Sequence, residues 1–329
     1  MNAAPPDASH AAPKALSGPR SILARLWASR TRRILVPVIA LAGAAWLIGH
    51  ELNGFSWALF IAALKATPGW AMAAAVALTP ASYVCLAVTE WFSLHSLGHR
   101  LSWHRVARAA FTAYAVSNSL GFSLATGTAV RMKLYGGWGL PALAITGATL
   151  VAGTAVSLAG VVTGGIGLTL GPAGFAAAAH VAPSAVRLLG LALVSPAALW
   201  FLLLRRPAAG GERLAFSAGG RLLALAAGIA DWLLSGAALY VLLPHASVSG
   251  FAPFLAVFAL GSLVSAATGV PGGVGVFEAV VLALSALLAR SHETATALVL
   301  YRVIYSLGPL AVMSLALAIG GVIKRYRNR

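Results

Sequence analysis

Charge is what this sequence has least of. Only 9% of its 329 residues are Asp, Glu, Lys or Arg, where about 25% is usual for a soluble globular domain. Acidic residues number 7 in all. A water-facing surface for a chain of this size cannot be covered with so few charges, so a soluble globular protein is excluded. Cysteine is nearly absent: the single Cys85 rules out an intrachain disulfide and leaves the redox compartment unmarked. The recognisable chemical motifs are missing too. There is no Gly-x-x-x-x-Gly-Lys phosphate loop, no Gly-x-Ser-x-Gly nucleophile elbow and no His-Glu-x-x-His zinc site. His95, His99 and His104 have no carboxylate or thiol at ligand spacing, so no metal site and no cofactor is expected. An enzyme is not expected.

What is abundant is apolar. Hydrophobic residues make up 60% of the chain and the mean hydropathy is +0.87. Lipid is therefore the solvent for most of it. Spans of about 20 apolar residues cross a bilayer, and such runs lie at 34–49, 70–94, 106–124, 140–163, 165–181, 185–204, 221–243, 251–268, 276–289 and 295–322. A shorter stretch, 57–66, reads as an interfacial helix. The expected fold is an all-α polytopic membrane protein of eight to ten transmembrane or re-entrant helices. It divides into a disordered basic tail (1–33), one helical domain (34–323) and a basic tail (324–329). The first 20 residues, rich in Pro, Ala and Ser, lack the apolar core of a signal peptide.

The positives are clustered as well as dominant, 23 Lys and Arg giving a net charge of +16. They flank the apolar runs: Arg20, Arg25, Arg30, Arg32 and Arg33 before the first, Arg100, Arg105 and Arg108 after the second, Arg205, Arg206, Arg213 and Arg221 further on, and Lys324, Arg325, Arg327 and Arg329 at the end. With both termini cytoplasmic, all four clusters fall inside, as Lys and Arg do in membrane proteins. That distribution suits a multi-pass protein of the cytoplasmic (inner) membrane and anionic phospholipids as its partners, and does not suit nucleic acid.

Two runs break the apolar pattern. From Tyr114 to Tyr135 a helix gives way to Ser117, Asn118, Ser119, Ser123, Thr126 and Thr128, then to Arg131 and Lys133. Backbone leaving a helix at membrane depth must line a cavity or be buried in protein. In that case Arg131 would grip a phosphate with two hydrogen bonds and Lys133 would add a point charge. An ordinary extramembrane loop is the alternative. The second run is Gly269-Val-Pro271-Gly272-Gly273-Val-Gly275-Val-Phe-Glu278, where Pro and Gly stop one helix and Gly275 opens another, so that 251–268 and 276–289 form the arms of a re-entrant hairpin. Glu278 would then favour the positive first turn or serve a site. Paired interruptions of this kind point to a transport site.

Ionisable groups inside apolar runs are costly and mark sites or internal salt bridges. Asp231 lies mid-way along its run, Glu90 late in the second, and Arg302 two turns into the last, flanked by Tyr301 and Tyr305. Glu90 reads either as functional or as interfacial, and the tyrosines either as a site or as an interfacial belt.

Several of these pieces come together in a resemblance. The order His50-Glu51-Leu52, Tyr114-Ala-Val-Ser-Asn-Ser-Leu-Gly-Phe-Ser123, Gly127-Thr-Ala-Val-Arg131, Trp138-Gly-Leu140, Pro271-Gly-Gly-Val-Gly-Val-Phe-Glu278 and Tyr301-Arg-Val-Ile-Tyr305 resembles the transmembrane region of lysylphosphatidylglycerol synthases, the multiple peptide resistance factors, across about residues 34–322. The resemblance implies a flippase-like phospholipid translocase, with aminoacylated phosphatidylglycerol as cargo. The synthase activity of that family resides in a soluble C-terminal aminoacyltransferase domain, and with Lys324–Arg329 read as a basic tail that domain and its activity are not expected here. A separate aminoacyltransferase is thus an expected partner, and a homo-oligomer is left open. The segment Gly127–Lys133 departs from the family's pattern, which has a second glycine and an aromatic before its Arg. The alternatives to translocation are an accessory membrane protein for a lipid-synthesis enzyme and a membrane-embedded lipid-modifying enzyme.

Overall fold

The computed structural model describes residues 61, 64–120, 123–203, 218–243, 246–268, 275–286 and 297–327. The expected helix at 34–49, most of the interfacial segment 57–66, the loop 205–217, the tail 1–33 and the break residues Gly269, Pro271, Gly272 and Gly273 lie outside the described residues.

Among the described residues every regular element is helical, as an apolar chain in lipid requires, because a helix satisfies its own backbone hydrogen bonds. Helix α1 (Gly69–Ser96) follows Pro68 and carries Pro80 internally. Thr79 and Ser93 return hydrogen bonds to the carbonyls of Ala75 (2.9 Å) and Thr89 (2.8 Å), which hides their hydroxyls along the helix. Gly98 ends the run in a left-handed conformation (φ +79°), and the His99 N–H closes on the Leu94 carbonyl at 3.0 Å. Then come α2 (Trp103–Leu120), α3 (Ser123–Gly136), α4 (Ala142–Leu170), α5 (Pro172–Ala179), α6 (Pro183–Leu203), α7 (Ala218–Tyr240), α8 (Val248–Thr268) and α9 (Val276–Ala286). The last span, Ala297–Ala316, contains a π-helical turn, Arg302–Leu307, and runs on as α10 (Gly308–Arg327).

Five of these helices (α1, α4, α7, α8 and the last span) are long and apolar enough to cross a bilayer, and α5 with α6 make a further pair bent by 116°. Helices α2, α3 and α9 are not among them, which makes five spans among the described residues, or six with the bent pair. Their outward faces are greasy: Leu143, Leu188, Leu222, Val248 and Val312 are all exposed.

Some expected boundaries move. The glycines at 164 and 165 suggest a break between 163 and 165, yet α4 continues to Leu170. These glycines serve close packing instead: a Cβ on Gly165 would sit 2.6 Å from the Gly190 carbonyl oxygen of α6. The same device joins α7 to α4, where a Cβ on Gly228 would lie 2.8 Å from that of Ala159. Small residues let helix backbones approach where lipid supplies no hydrophobic drive. The larger correction concerns residues 117–133. Residues 117–120 and 123–133 are helical, in α2 and α3 on either side of residues 121–122, so the helix is interrupted there as expected, but Arg131 and Lys133 sit within α3 and not in a loop. The two arms fold back on each other. Gly127 of α3 faces Ser117 of α2, and the Arg131 guanidinium lies 4.8 Å above the Tyr114 ring. In one continuous helix those last two residues would be about 25 Å apart.

The arms of α2 and α3 span about 27 and 21 Å, and the described part of α9 about 17 Å, at the helical rise of 1.5 Å per residue. Helix α3 is shorter than the roughly 30 Å hydrocarbon layer. Helices α1 and α7 are antiparallel, since Ser82 meets Asp231 while Thr89 meets the Ala224 carbonyl. Helix α8 returns antiparallel to α7, with Gly236 against Leu255, and α9 packs on α8, with Phe277 against Phe258 and Gly261 against Val281. The hairpin α2–α3 therefore opens at the end of the bundle where α1 finishes.

Candidate functional site

The hairpin α2–α3 and the start of α9 meet the same short stretch of the last span. At the tip of α2–α3, the Ser119 hydroxyl donates to the Ser306 carbonyl (3.1 Å) and Asn118 Nδ2 donates to the Tyr83 hydroxyl (3.2 Å). Tyr83 in turn donates to the Tyr305 carbonyl at 3.2 Å. From the other side, Phe277 at the start of α9 packs on Tyr301, ring centroids 6.3 Å apart. The stretch they meet is the π-helical turn Arg302–Leu307. Such turns carry one residue more than an α-helix would, and tend to occur where function needs a displaced side chain.

Beside this turn, near the middle of α7, lies Asp231, buried at 6% exposure. Its carboxylate accepts a hydrogen bond from the Ser82 hydroxyl of α1, and the Ser82 oxygen lies 2.8 Å from the Tyr305 hydroxyl. Tyr301 and Tyr305 are buried and stacked at 5.0 Å, so they face the bundle interior rather than forming an interfacial belt. Among the described residues no Lys or Arg pairs with Asp231. The internal salt bridge weighed for it from sequence is not formed among the described residues.

About 12 Å further along α1, eight residues at 1.5 Å each, a second group is fully closed. Glu90 is completely buried and accepts Arg131 Nε (2.9 Å), Arg131 Nη2 (2.6 Å) and the Tyr135 hydroxyl (2.5 Å). This bidentate fork is the geometry in which Arg and carboxylate fit best. It ties α3 to α1. Glu90 is thus closed off inside the protein, and in this conformation Arg131 spends its fork on Glu90. Lys133 does not join it: two residues on, it points about 200° around the helix and is exposed.

The third group closes the start of α9. Gly275 takes φ +79° and its N–H donates to Glu278 Oε2 at 2.9 Å, as in the return half of a capping box. The other oxygen of Glu278 accepts Arg302 Nε at 2.9 Å. Glu278 therefore does two jobs, capping α9 and fastening it to the π-helical turn. Gly275 is the one break residue that can be placed.

Of the residues singled out from sequence, Asn118, Asp231, Tyr301 and Tyr305 gather at one depth. Glu278 with Arg302 borders them, Glu90 with Arg131 forms its own group, and Lys133 stands apart. Ser82, Tyr83 and Tyr135 were not singled out. The signal for the first two was a polar Ser-Tyr pair in the middle of an apolar run.

A polytopic helical membrane protein whose hairpin α2–α3 and helix α9 meet beside a buried polar centre is the class that this fold and site define. Within it, the chain belongs to the lysylphosphatidylglycerol synthase transmembrane-region family, whose pattern matches residues 34–312. It is similar to the Uncharacterized protein slr0712 of Synechocystis sp., 29% identical over 289 residues, 86% of this chain and 89% of that one. It is also similar to the Inner membrane protein YbhN of Escherichia coli, 30% identical over 250 residues, 73% of this chain and 77% of that protein.

Proposed function

We propose that this chain is a phospholipid translocase of the cytoplasmic (inner) membrane, with both termini on the cytoplasmic side, and that it transports lipid rather than modifying it. One observation carries the reading: the tip of the hairpin α2–α3 and the start of α9 meet the same turn of the last span, beside a buried carboxylate. Interrupted helices around a central polar site are how transporters expose one site to either side in turn. Asp231, with Tyr301, Tyr305 and Asn118, offers a cationic head group its counter-charge and hydrogen bonds. Lys133, exposed on α3, is placed for the lipid phosphate, and Arg131 joins it when the Glu90 pair opens. Glu278 and Arg302 hold the turn in place. The family's name points to aminoacylated phosphatidylglycerol as cargo, with a separate aminoacyltransferase as the partner supplying it, and the name of the Escherichia coli relative supports the membrane assignment.

The test is leaflet exposure of phospholipids in liposomes reconstituted with this chain alone. The expected result is lipid movement well above that of empty liposomes, lost in Asp231→Asn and at least several-fold slower in Lys133→Gln. Absence of movement of any lipid by folded protein would overturn the translocase and favour an accessory role beside a lipid-synthesis enzyme.

A further inference from the structure

We propose that Asp231 is a proton-binding site and that lipid movement is driven by exchange: the carboxylate holds either a proton or the ammonium of a lipid head group. The inference rests on the translocase reading and supplies its energy source. Ser82 lies between Asp231 and Tyr305, hydrogen-bonded to both. All three groups can give as well as take a hydrogen bond once the carboxyl is protonated, so they form a continuous path for a proton. An ionised carboxylate at this depth without a counter-charge is expensive, and only two ordinary events relieve the cost, uptake of a proton or arrival of a cation.

The surroundings leave Asp231 to answer to those two events. Among the described residues, α4 and α8, both packed on α7, carry no titratable side chain at all. Helix α1 presents Tyr83 and Cys85 toward Asp231, α2 presents Tyr114, and the last span presents Tyr301 and Tyr305. Glu90 and Arg131 neutralise each other further along α1, as do Glu278 and Arg302 at α9. Among the described residues no fixed positive charge pairs with the carboxylate, so a proton leaving it can be replaced by a head-group ammonium and the reverse. The proton passes to water on whichever side the site then faces, and charge at Asp231 balances at each exchange.

The experiment uses proteoliposomes of phosphatidylglycerol with phosphatidylethanolamine as the ammonium-bearing probe. Membrane potential is clamped with potassium and valinomycin, the lumen holds a pH-sensitive dye, and outer-leaflet amine is read with an impermeant amine reagent. For one proton per lipid, the leaflet ratio of phosphatidylethanolamine should shift by up to about tenfold for each imposed pH unit, and its movement should change the lumen pH. Asp231→Asn should abolish both effects. A leaflet ratio indifferent to the pH gradient, or one that follows a sodium gradient instead, would overturn the exchange while leaving the translocase standing. No movement at all would overturn both. Acid-minus-neutral infrared difference spectra of the purified protein supply a readout independent of transport. A protonated-carboxyl band is expected in the wild type and not in Asp231→Asn, with its midpoint displaced in Ser82→Ala, which keeps the carboxyl and removes its donor. A wild-type spectrum lacking a band that Asp231→Asn removes would overturn the proposal.

Discussion

At the scale of single residues, the molecule separates charges that are fastened from one that is not. Glu90 is fastened three times over, by two guanidinium nitrogens and a phenol. Removing one partner of a buried pair leaves the other charge unpaired, at a cost of about 3–5 kcal/mol, whereas replacing both with apolar groups is often neutral. Glu90→Gln should therefore lower stability in detergent by about that amount. The triple change Glu90→Leu, Arg131→Met and Tyr135→Phe should recover most of it, and thermal unfolding of the purified variants decides. Equal losses in the single and triple variants would mean that the pair is not what anchors α3. Glu90 and Arg131 each stood out in the sequence as charges in apolar surroundings, but 41 residues separate them and nothing in either run names the other. Periodicity finds neighbours on one helix; it cannot find a partner that arrives by folding a hairpin. For the same reason the depth of Asp231 was legible, and its contact with Ser82, 149 residues away, was not.

At the scale of elements, apolar run length located the long spans well, because crossing lipid demands it. It served less well where helices stop short. The polar run 117–128 was read as backbone leaving the helix, since Ser, Thr and Asn favour caps and turns in water. Inside a protein core they pack as small helix-compatible residues, and the chain reverses only between Leu120 and Ser123. The π-helical turn Arg302–Leu307 left no mark in the sequence at all, since one extra residue in a turn changes no composition. It makes a sharp prediction nonetheless. Deleting Ile304 should restore an α-helical register and rotate Tyr301 and Arg302 by about 100° relative to the residues after the turn. Both would leave their partners, Phe277 and Glu278. Helical content by circular dichroism should stay at the wild-type level while lipid movement in liposomes falls to background. Full activity in the deletion would show that the turn is incidental.

At the scale of the whole molecule, the packing divides the chain into a frame and two inserted pieces. Helices α4, α6, α7 and α8 touch through glycine and alanine backbones, as at Gly165 with Gly190 and Gly167 with Ala252, leaving little room to slide. The tip of α2–α3 is held to the last span by single hydrogen bonds such as that from Ser119 to Ser306, which are light enough to exchange. If alternating exposure of the site depends on that tip moving away, cysteines at 119 and 306, with Cys85 first replaced by Ala, should support lipid movement until joined by a short bifunctional thiol reagent. Cleaving a reducible version of the linker should then restore it. Unimpaired movement in the cross-linked protein would assign the motion to other elements.

The pairing of Glu90 with Arg131 also sets a timetable for biosynthesis. Helix α1 leaves the ribosome with its carboxylate before the partner exists, and at about 5–20 residues per second the 41 further residues up to and including Arg131 take about 2–8 s to make. For that interval α1 cannot rest in the bilayer in its final form. It must wait with Glu90 neutral or near water until the hairpin swings in, so insertion of this protein is a matter of order in time as much as of hydropathy.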